Sequence, residues 1–216
     1  QGGALRQYGK IVDSVEIDPV IVSMAQKYFG FVANGDLAVQ DARAFLRTTK
    51  KSYGAIIHDT FSGGTSPDHL FSAEMLGLLK RHLDPGGLLV LDFVGFATGP
   101  HVEATLAVRS TLLAQFSHVH AYRDSALNHS PGEVSNIVFF ASDSPVAFEI
   151  PTDATFESPE CEATTRAFQD WEVLKNEPVG IEITDAHNPL AQLQTPIAAA
   201  HYEGMKQLLP KEVWVR

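Results

Sequence analysis

The chain is short of cysteine, of positive charge and of long apolar runs, and each shortage excludes a class of protein. A single cysteine, Cys161, in 216 residues cannot close an internal disulfide, so no oxidising compartment is required. Nothing near it in sequence supplies a base, so it reads as a packed thiol rather than a nucleophile. Lys and Arg number 16 against 26 Asp and Glu, a formal net charge of −10. That balance opposes the phosphate-driven electrostatics of nucleic-acid binding and suits a cationic or neutral small ligand. No stretch approaches the ~20 apolar residues that span a bilayer, and the N-terminus lacks the order of a secretory signal. The expectation is a soluble, cytoplasmic chain. The histidines form no His-Glu-x-x-His spacing, and His118 and His120, alternating on one strand face, lack a third ligand, so no metal is expected. No Gly-x-Ser-x-Gly elbow argues for a hydrolase.

What remains is a globular composition, 44% hydrophobic and 19% charged. The order of elements is regular. Ser14 to Ile17 predicts a short strand, and Asp18-Pro19 opens a helix with Val20, Ile21, Met24, Ala25 and Tyr28 at helical spacing, stopping at Gly30. Leu37 to Gln40 predicts a strand, Asp41 caps a helix with Ala44, Phe45 and Leu46, and Tyr53 to His58 predicts a third strand. A Ser-, Gly- and Pro-containing loop from Phe61 to Asp68 precedes a helix expected over Leu70 to Leu83. Asp84-Pro85-Gly86-Gly87 then turns the chain into Leu88-Leu89-Val90-Leu91, a run suited to a parallel strand buried on both faces. A helix over Val102 to Phe116 and strands over His118 to Tyr122 and Ile137 to Ala141 follow, then helices near Glu160 to Leu174 and Pro196 to Leu209. Strands alternating with helices imply a three-layer α/β sheet. A single domain over residues 1–216 is expected, with a core over 1–145 and a C-terminal extension over 146–216.

In open α/β sheets ligands bind beyond the carboxyl ends of the strands, which directs attention to Glu16 with Asp18, to Asp41 and to Asp59. An acid ending a strand accepts both hydroxyls of a ribose; Glu16 fits that role, whereas Asp18 is better described as a helix-start acid. Asp41 is placed to accept from an exocyclic adenine amine, or to act as a plain helix cap, and the two are compatible. Asp59 follows an apolar run and opens a glycine-containing loop. Partial desolvation there would strengthen it as a base toward an attacking amine; a structural cap is the alternative. His58 points to the opposite face of a regular strand, into core or interface.

Taken in order, Gly2-Gly3-Ala4-Leu5-Arg6, Val15-Glu16-Ile17-Asp18-Pro19, Gln40-Asp41-Ala42-Arg43 and Tyr53-Gly54-Ala55-Ile56-Ile57-His58-Asp59 with Leu70-Phe71 resemble the spermidine/spermine synthase family of aminopropyltransferases. That family shares the Rossmann-like fold of S-adenosylmethionine-dependent methyltransferases. The resemblance covers about the first two-thirds of the chain. It implies that Gly2 and Gly3 lie under the sulfur-bearing tail of the nucleoside, Glu16 holds the ribose and Asp41 the adenine. Ala42 is grouped with these cofactor-binding residues, Asp59 deprotonates the acceptor amine, and Ser62 and Tyr122 are grouped with the acceptor. The implied co-substrate is decarboxylated S-adenosylmethionine, or S-adenosylmethionine itself, and the implied partner is a small-molecule amine. The implied reaction is amine attack on a sulfonium nucleoside with release of methylthioadenosine; methyl transfer and non-catalytic binding of a nucleoside or a partner are the alternatives.

The chain departs from the family pattern in specific places. Asp59-Thr60-Phe61-Ser62-Gly63 replaces Asp-Ser-Ser-Asp-Pro, so Ser62 stands where the family has a second, polyamine-binding carboxylate. Gln1 replaces an acid that holds the donor's ammonium, and Ser135-Asn136-Ile137 replaces a small-residue turn that walls the polyamine pocket. Ile183-Thr184-Asp185-Ala186-His187-Asn188-Pro189-Leu190 resembles the tail of spermidine-synthase-like domains fused to membrane-spanning segments, with Ala186 in place of a second acid. Fusion to such segments outside this chain, and a homodimer through the sheet edge or the C-terminal helices, are the assemblies the resemblance allows. The first strand of that fold, which leads into the glycine loop, does not occur between Gln1 and the first predicted strand; either residues preceding Gln1 are expected to supply it or another segment is expected to fill its place, since without it neighbouring strand edges would be unpaired.

Overall fold

The chain divides into two compact units, Gln1–Lys51 and Ser52–Arg216. The computed structural model describes Leu5 and residues 9–123, 134–147 and 172–209. In the first unit, strand β1 (Ser14–Glu16) leads to helix α1 (Pro19–Phe29), strand β2 (Leu37–Val39) and helix α2 (Ala42–Thr48). The two strands pair in parallel, Ser14 opposite Leu37 and Glu16 opposite Val39. Their approach is fixed by side chains standing in for backbone. The Asn34 carboxamide donates to the Lys10 carbonyl at 2.6 Å and accepts from the Val12 amide at 3.1 Å. Lys51 bridges Asp13 and Asp36, each at 2.7 Å, and these bonds raise the Lys51 pKa above its ordinary value.

Helix α1 is written in its ends. Asp18 accepts from the Val20 amide at 2.7 Å, Pro19 fits the first turn, and Gly30 closes the helix at φ 64°, a left-handed conformation that glycine adopts without a Cβ penalty. The apolar residues expected to bury one face of this helix do not. Val20, Ile21, Met24 and Tyr28 are 45–63% exposed.

The second unit holds a five-stranded mixed sheet in the order β3-β4-β6-β5-β7. Its strands are β3 (Tyr53–His58), β4 (Leu83–Phe96), β5 (His118–Arg123), β6 (Val134–Ser142) and β7 (Glu172–Val173). Only β3 and β4 run parallel; β6 pairs antiparallel with both β4 and β5. Among the described residues β1-β2 and the five strands are separate sheets, and β3 ends the larger one.

Four expectations are corrected here. The helix expected over Leu70 to Leu83 is a 3-10 turn at Asp68–Leu70 followed by α3 (Ala73–Arg81), because Ser72 accepts from the Met75 amide and starts the helix late. At its far end the His82 carbonyl already accepts from the Tyr53 amide at 2.8 Å, so Leu83 belongs to the sheet. Asp84 to Gly87 is an irregularity inside β4: Tyr53 pairs with Leu83 and Ala55 with Leu88. The run after it is not buried on both faces. Leu89, Leu91 and Phe93 are fully buried, whereas Leu88, Val90, Asp92 and Val94 are half-buried, the period-2 pattern of a sheet with unlike faces. The expected helix near Glu160 to Leu174 lies mostly outside the described residues, as does Cys161; its last residues, Glu172 and Val173, are strand β7, paired with Tyr122 and Ala121.

The buried face of β4 meets Phe71, whose ring lies 5.6 Å from that of Phe93, and the core continues through α3 and α4 (Glu103–Gln115) with Met75, Leu76, Val108 and Leu112. Beyond β7 come the short helix α5 (Leu190–Leu193) and α6 (Thr195–Leu208). Among the described residues no helix is long and apolar enough to cross a membrane.

Candidate active site

In the first unit the carboxylates selected from the sequence stand at the carboxyl ends of the two parallel strands. Glu16 is the last residue of β1, and its carbonyl accepts from the Gln40 amide at 2.9 Å, tying that end of β1 to the end of β2. Its carboxylate accepts from the Asp18 amide at 3.0 Å. Asp41 caps α2 through the Ala44 amide at 2.8 Å, and Ala42 is the first residue of that helix. Asp41 therefore does act as a helix cap, and that role spends one lone pair of a group that has several. Gly2 and Gly3 lie outside the described residues.

In the second unit a cavity of about 390 Å³ is lined by Asp59, Thr60, Phe61, Ser66, Asp92, Val94, Asn136 and His201. Asp59 is delivered by the end of β3 and is exposed at the cavity, where the sequence led us to expect a partly desolvated carboxylate. Asp92 and Val94 come from the half-buried face of β4, and Asn136 pairs with Val94 across β4 and β6. The hydroxyl of Thr60 is buried and finds no hydrogen-bond partner among the described residues. His201 reaches in from α6, its ring edge-on to Phe61 at 5.9 Å. Gly64, at φ 115°, allows this approach, since a Cβ there would stand 2.9 Å from the His201 Nδ1.

Ser62 and Tyr122, grouped with the acceptor from the sequence, do not line this cavity. Ser62 is exposed in a turn, bonded through its backbone to Thr65, and Tyr122 is buried in β5 with its ring 5.8 Å from Phe140. His58, as expected from strand alternation, faces the core, its ring 4.9 Å from Phe71 and its Nε2 3.1 Å from the Leu70 carbonyl. Burial pushes its pKa below the ordinary value, so the imidazole is neutral.

The segment between β7 and α6 lashes the cavity loop in place. The Ile183 amide donates to Thr111 of α4 and the Ile183 carbonyl accepts from Ala73, while Ser72 donates to the Asp185 carboxylate. Asn188 donates to the Asp68 carbonyl at 3.0 Å. Gln194, 1% exposed, pairs with both backbone groups of Ser66, at 2.8 and 3.0 Å. Each bond satisfies a polar group that burial would otherwise leave costly. The Thr-Asp-Ala-His-Asn-Pro stretch singled out in the sequence is thus an internal tie between residues 66–74 and α4.

Asp92, His201 and Gln194 were missed by sequence reasoning. Asp92 did leave a signal, as the one charge interrupting the apolar run from Leu88 to Val94. His201 and Gln194 left none, because their importance rests on contacts more than 100 residues away in sequence, as Ser66 to Gln194 illustrates at a separation of 128.

A family model described as the spermine/spermidine synthase domain matches residues 2–152. An N-terminal histidine N-methyltransferase of Emericella nidulans is 28% identical over 98% of this chain and 41% of its own length. A polyamine aminopropyltransferase of Vibrio vulnificus is 40% identical over 49% of this chain and 36% of its own length. The chain therefore spans well under half the length of these curated relatives. Among solved structures, a probable spermidine synthase from Corynebacterium glutamicum superposes with a TM-score of 0.55 at 20% identity, covering 87% of this chain and 61% of that one, a likeness of fold.

Proposed function

The chain belongs to the spermine/spermidine synthase domain family, and on that premise we propose that it is a transferase in which an amine attacks a carbon beside the sulfonium sulfur of an S-adenosylmethionine-derived nucleoside. The observation that carries the reading is the cavity holding Asp59 with Asp92, Asn136 and His201. A cavity of that volume accommodates a small amine, and its two carboxylates favour a cationic one.

In this reading Glu16 holds the ribose, Asp41 the adenine amine, and Ala42 the adjoining face of the nucleoside, while the acceptor amine occupies the cavity. The amine lone pair forms a bond to the aminopropyl carbon beside sulfur, the carbon–sulfur bond breaks with its electrons going to sulfur, and neutral methylthioadenosine leaves. Asp59 takes the amine proton. Because the sulfonium is already a good leaving group, the protein contributes orientation and that proton transfer. In this reading the C-terminal extension contributes to the acceptor site, since His201 lines the cavity and Gln194 holds the lining residue Ser66.

A second reading, methyl transfer from intact S-adenosylmethionine, is favoured by the Emericella nidulans relative, which matches nearly the whole chain. The two differ in the donor, decarboxylated or intact, and in which carbon beside sulfur is attacked, and so in the product, methylthioadenosine or S-adenosylhomocysteine. Titration calorimetry with methylthioadenosine, S-adenosylmethionine and its decarboxylated form, followed by product analysis with an amine present, separates them. Aminopropyl transfer predicts preference for the decarboxylated donor, lost in Glu16→Ala, and turnover reduced about 100- to 10,000-fold in Asp59→Asn with donor affinity kept. Donor binding with no product from either nucleoside points instead to a binding domain without catalysis.

A further inference from the structure

We propose that His201 is a proton-exchanging residue of the acceptor site: as an imidazolium it balances the acids of the amine-free cavity, and it gives up that proton when a cationic amine enters. The inference rests on the amine-acceptor reading of the cavity and adds to it a linkage between amine binding and pH.

Packing on several sides places His201. Gln194, which precedes α6 and is 1% exposed, pairs with both backbone groups of the lining residue Ser66. Ile197 is fully buried, and His201 follows it by one helical turn, so the two share a face of α6. That face brings the imidazole edge-on to Phe61, with ring centroids 5.9 Å apart and planes at 67°. Gly64 lies against the same ring, where a Cβ would stand 2.9 Å from Nδ1 and 3.4 Å from Cγ. His201 is half-buried at the cavity, whereas His58 is enclosed in the core against Phe71.

Charge then decides what the ring does. The cavity is lined by two carboxylates, Asp59 from the end of β3 and Asp92 from β4, and by no lysine or arginine. His201 is the one lining side chain able to carry a positive charge. The charged neighbours on α6 itself are engaged with each other, Lys206 with Glu203 at 3.1 Å and over the Tyr202 ring at 4.2 Å. Across about pH 5.5 to 7.5 an imidazole exchanges its proton, while an alkylammonium and an ordinary carboxylate keep their charges. Two cations sharing a space of about 390 Å³ repel enough to change an affinity about tenfold at an effective dielectric of about 20. Imidazolium and ammonium therefore oppose one another, and by linkage the amine expels the proton as strongly as the proton weakens the amine. As the ammonium enters, the imidazole proton leaves for solvent, and the charge of the cavity is conserved. The neutral ring then offers a nitrogen lone pair to the amine.

Calorimetric titration of the full chain with butylamine, in the presence of methylthioadenosine and in buffers of different ionisation enthalpy, tests this without any turnover. Affinity is expected to rise about fivefold from pH 5.5 to 7.5, with release of about half a proton per amine bound at pH 6. His201→Gln removes the titrating group, so its affinity stays within about 1.5-fold across that range and no proton is released. His201→Lys carries a permanent charge, is likewise independent of pH, and binds about as weakly as the wild type does at pH 5.5; it serves if the Gln variant does not fold. His58 is present in wild type and both variants, so its titration cancels in the comparison. Butylamine binding that releases no proton, or a pH dependence that survives in His201→Gln, overturns this inference and leaves the acceptor reading standing. Failure of the wild type to bind butylamine at any pH removes the acceptor reading and this inference with it.

Discussion

The two units of the chain are built on different kinds of information. In Gln1–Lys51 the elements are set by local devices: the Asp18 and Asp41 caps, the left-handed Gly30, the Asn34 side chain bridging backbone, and Lys51 between two acids. Among the described residues of this unit, Leu46 alone is a buried apolar side chain. In Ser52–Arg216 the elements are set by burial, with Phe71, Met75, Leu76, Leu89, Leu91, Phe93 and Ile137 completely enclosed. Local capping fixes where a helix begins and ends, but it contributes little to global stability; apolar burial carries that, at roughly 25 cal/mol per Å².

The largest test of this contrast compares truncations of similar size. Phe93→Ala, in the middle of β4 and in contact with Phe71, is expected to cost about 3–5 kcal/mol of unfolding free energy in urea titrations followed by far-UV circular dichroism. Met24→Ala, on the 45%-exposed face of α1, is expected to stay within about 0.5 kcal/mol of wild type. A comparable cost at both positions would break the comparison, because it would mean that the α1 face is covered in solution.

This contrast also explains how far the sequence could be read. Caps and stop signals are encoded within a few residues, so Asp18-Pro19, Gly30, Asp41 and the β3 strand were legible, as was the order of strands and helices as far as β6. The antiparallel pairing of β6 with β4 and β5 was not, because periodicity reports which residues are buried and says nothing of strand direction. The end of the helix expected to reach Leu83 failed for a related reason: Leu83 is apolar enough for either state, and its pairing with Tyr53 across β3 decides. Of the candidate site, the acids that end strands were legible from topology alone, since ligand positions in α/β sheets follow strand ends. Asp92 and His201 were not, because one lies mid-strand and the other arrives from a helix near the far end of the chain.

A smaller effect separates the units by pH. The first unit contains no histidine, whereas His58 of the second is buried with its Nδ1 lacking a hydrogen-bond partner among the described residues. Burial lowers its pKa below the ordinary 6.5, so the unfolded chain takes up a proton first as the medium is acidified. Its contribution is therefore complete above pH 6.5 and is lost progressively as pH falls from there toward the lower folded value. Each unit of pH across that window costs up to about 1.4 kcal/mol. Unfolding curves collected from pH 7.5 to 5 should show this acid limb in the wild type and a flatter one in His58→Asn. Equal slopes would place the titration elsewhere.

The smallest effect is the most local and bears on function. Asp18 and Glu16 are neighbours in sequence and linked through the Asp18 amide at 3.0 Å, yet they are assigned different work. Asp18 accepts from the Val20 amide and ends its role there, so Asp18→Ala should cost about 1 kcal/mol in the opening of α1, read by hydrogen exchange of amides 20–29, with β4 amides unchanged. Donor affinity should be preserved. On the proposed reading Glu16→Ala should do the reverse, weakening nucleoside binding while leaving α1 protected, because the bond its carboxylate accepts from the Asp18 amide is one that water can replace. If both substitutions moved affinity and protection together, the cap and the ligand site would be one structure, and the separation drawn between an element's local signals and its chemistry would fail at the residue where the two lie closest.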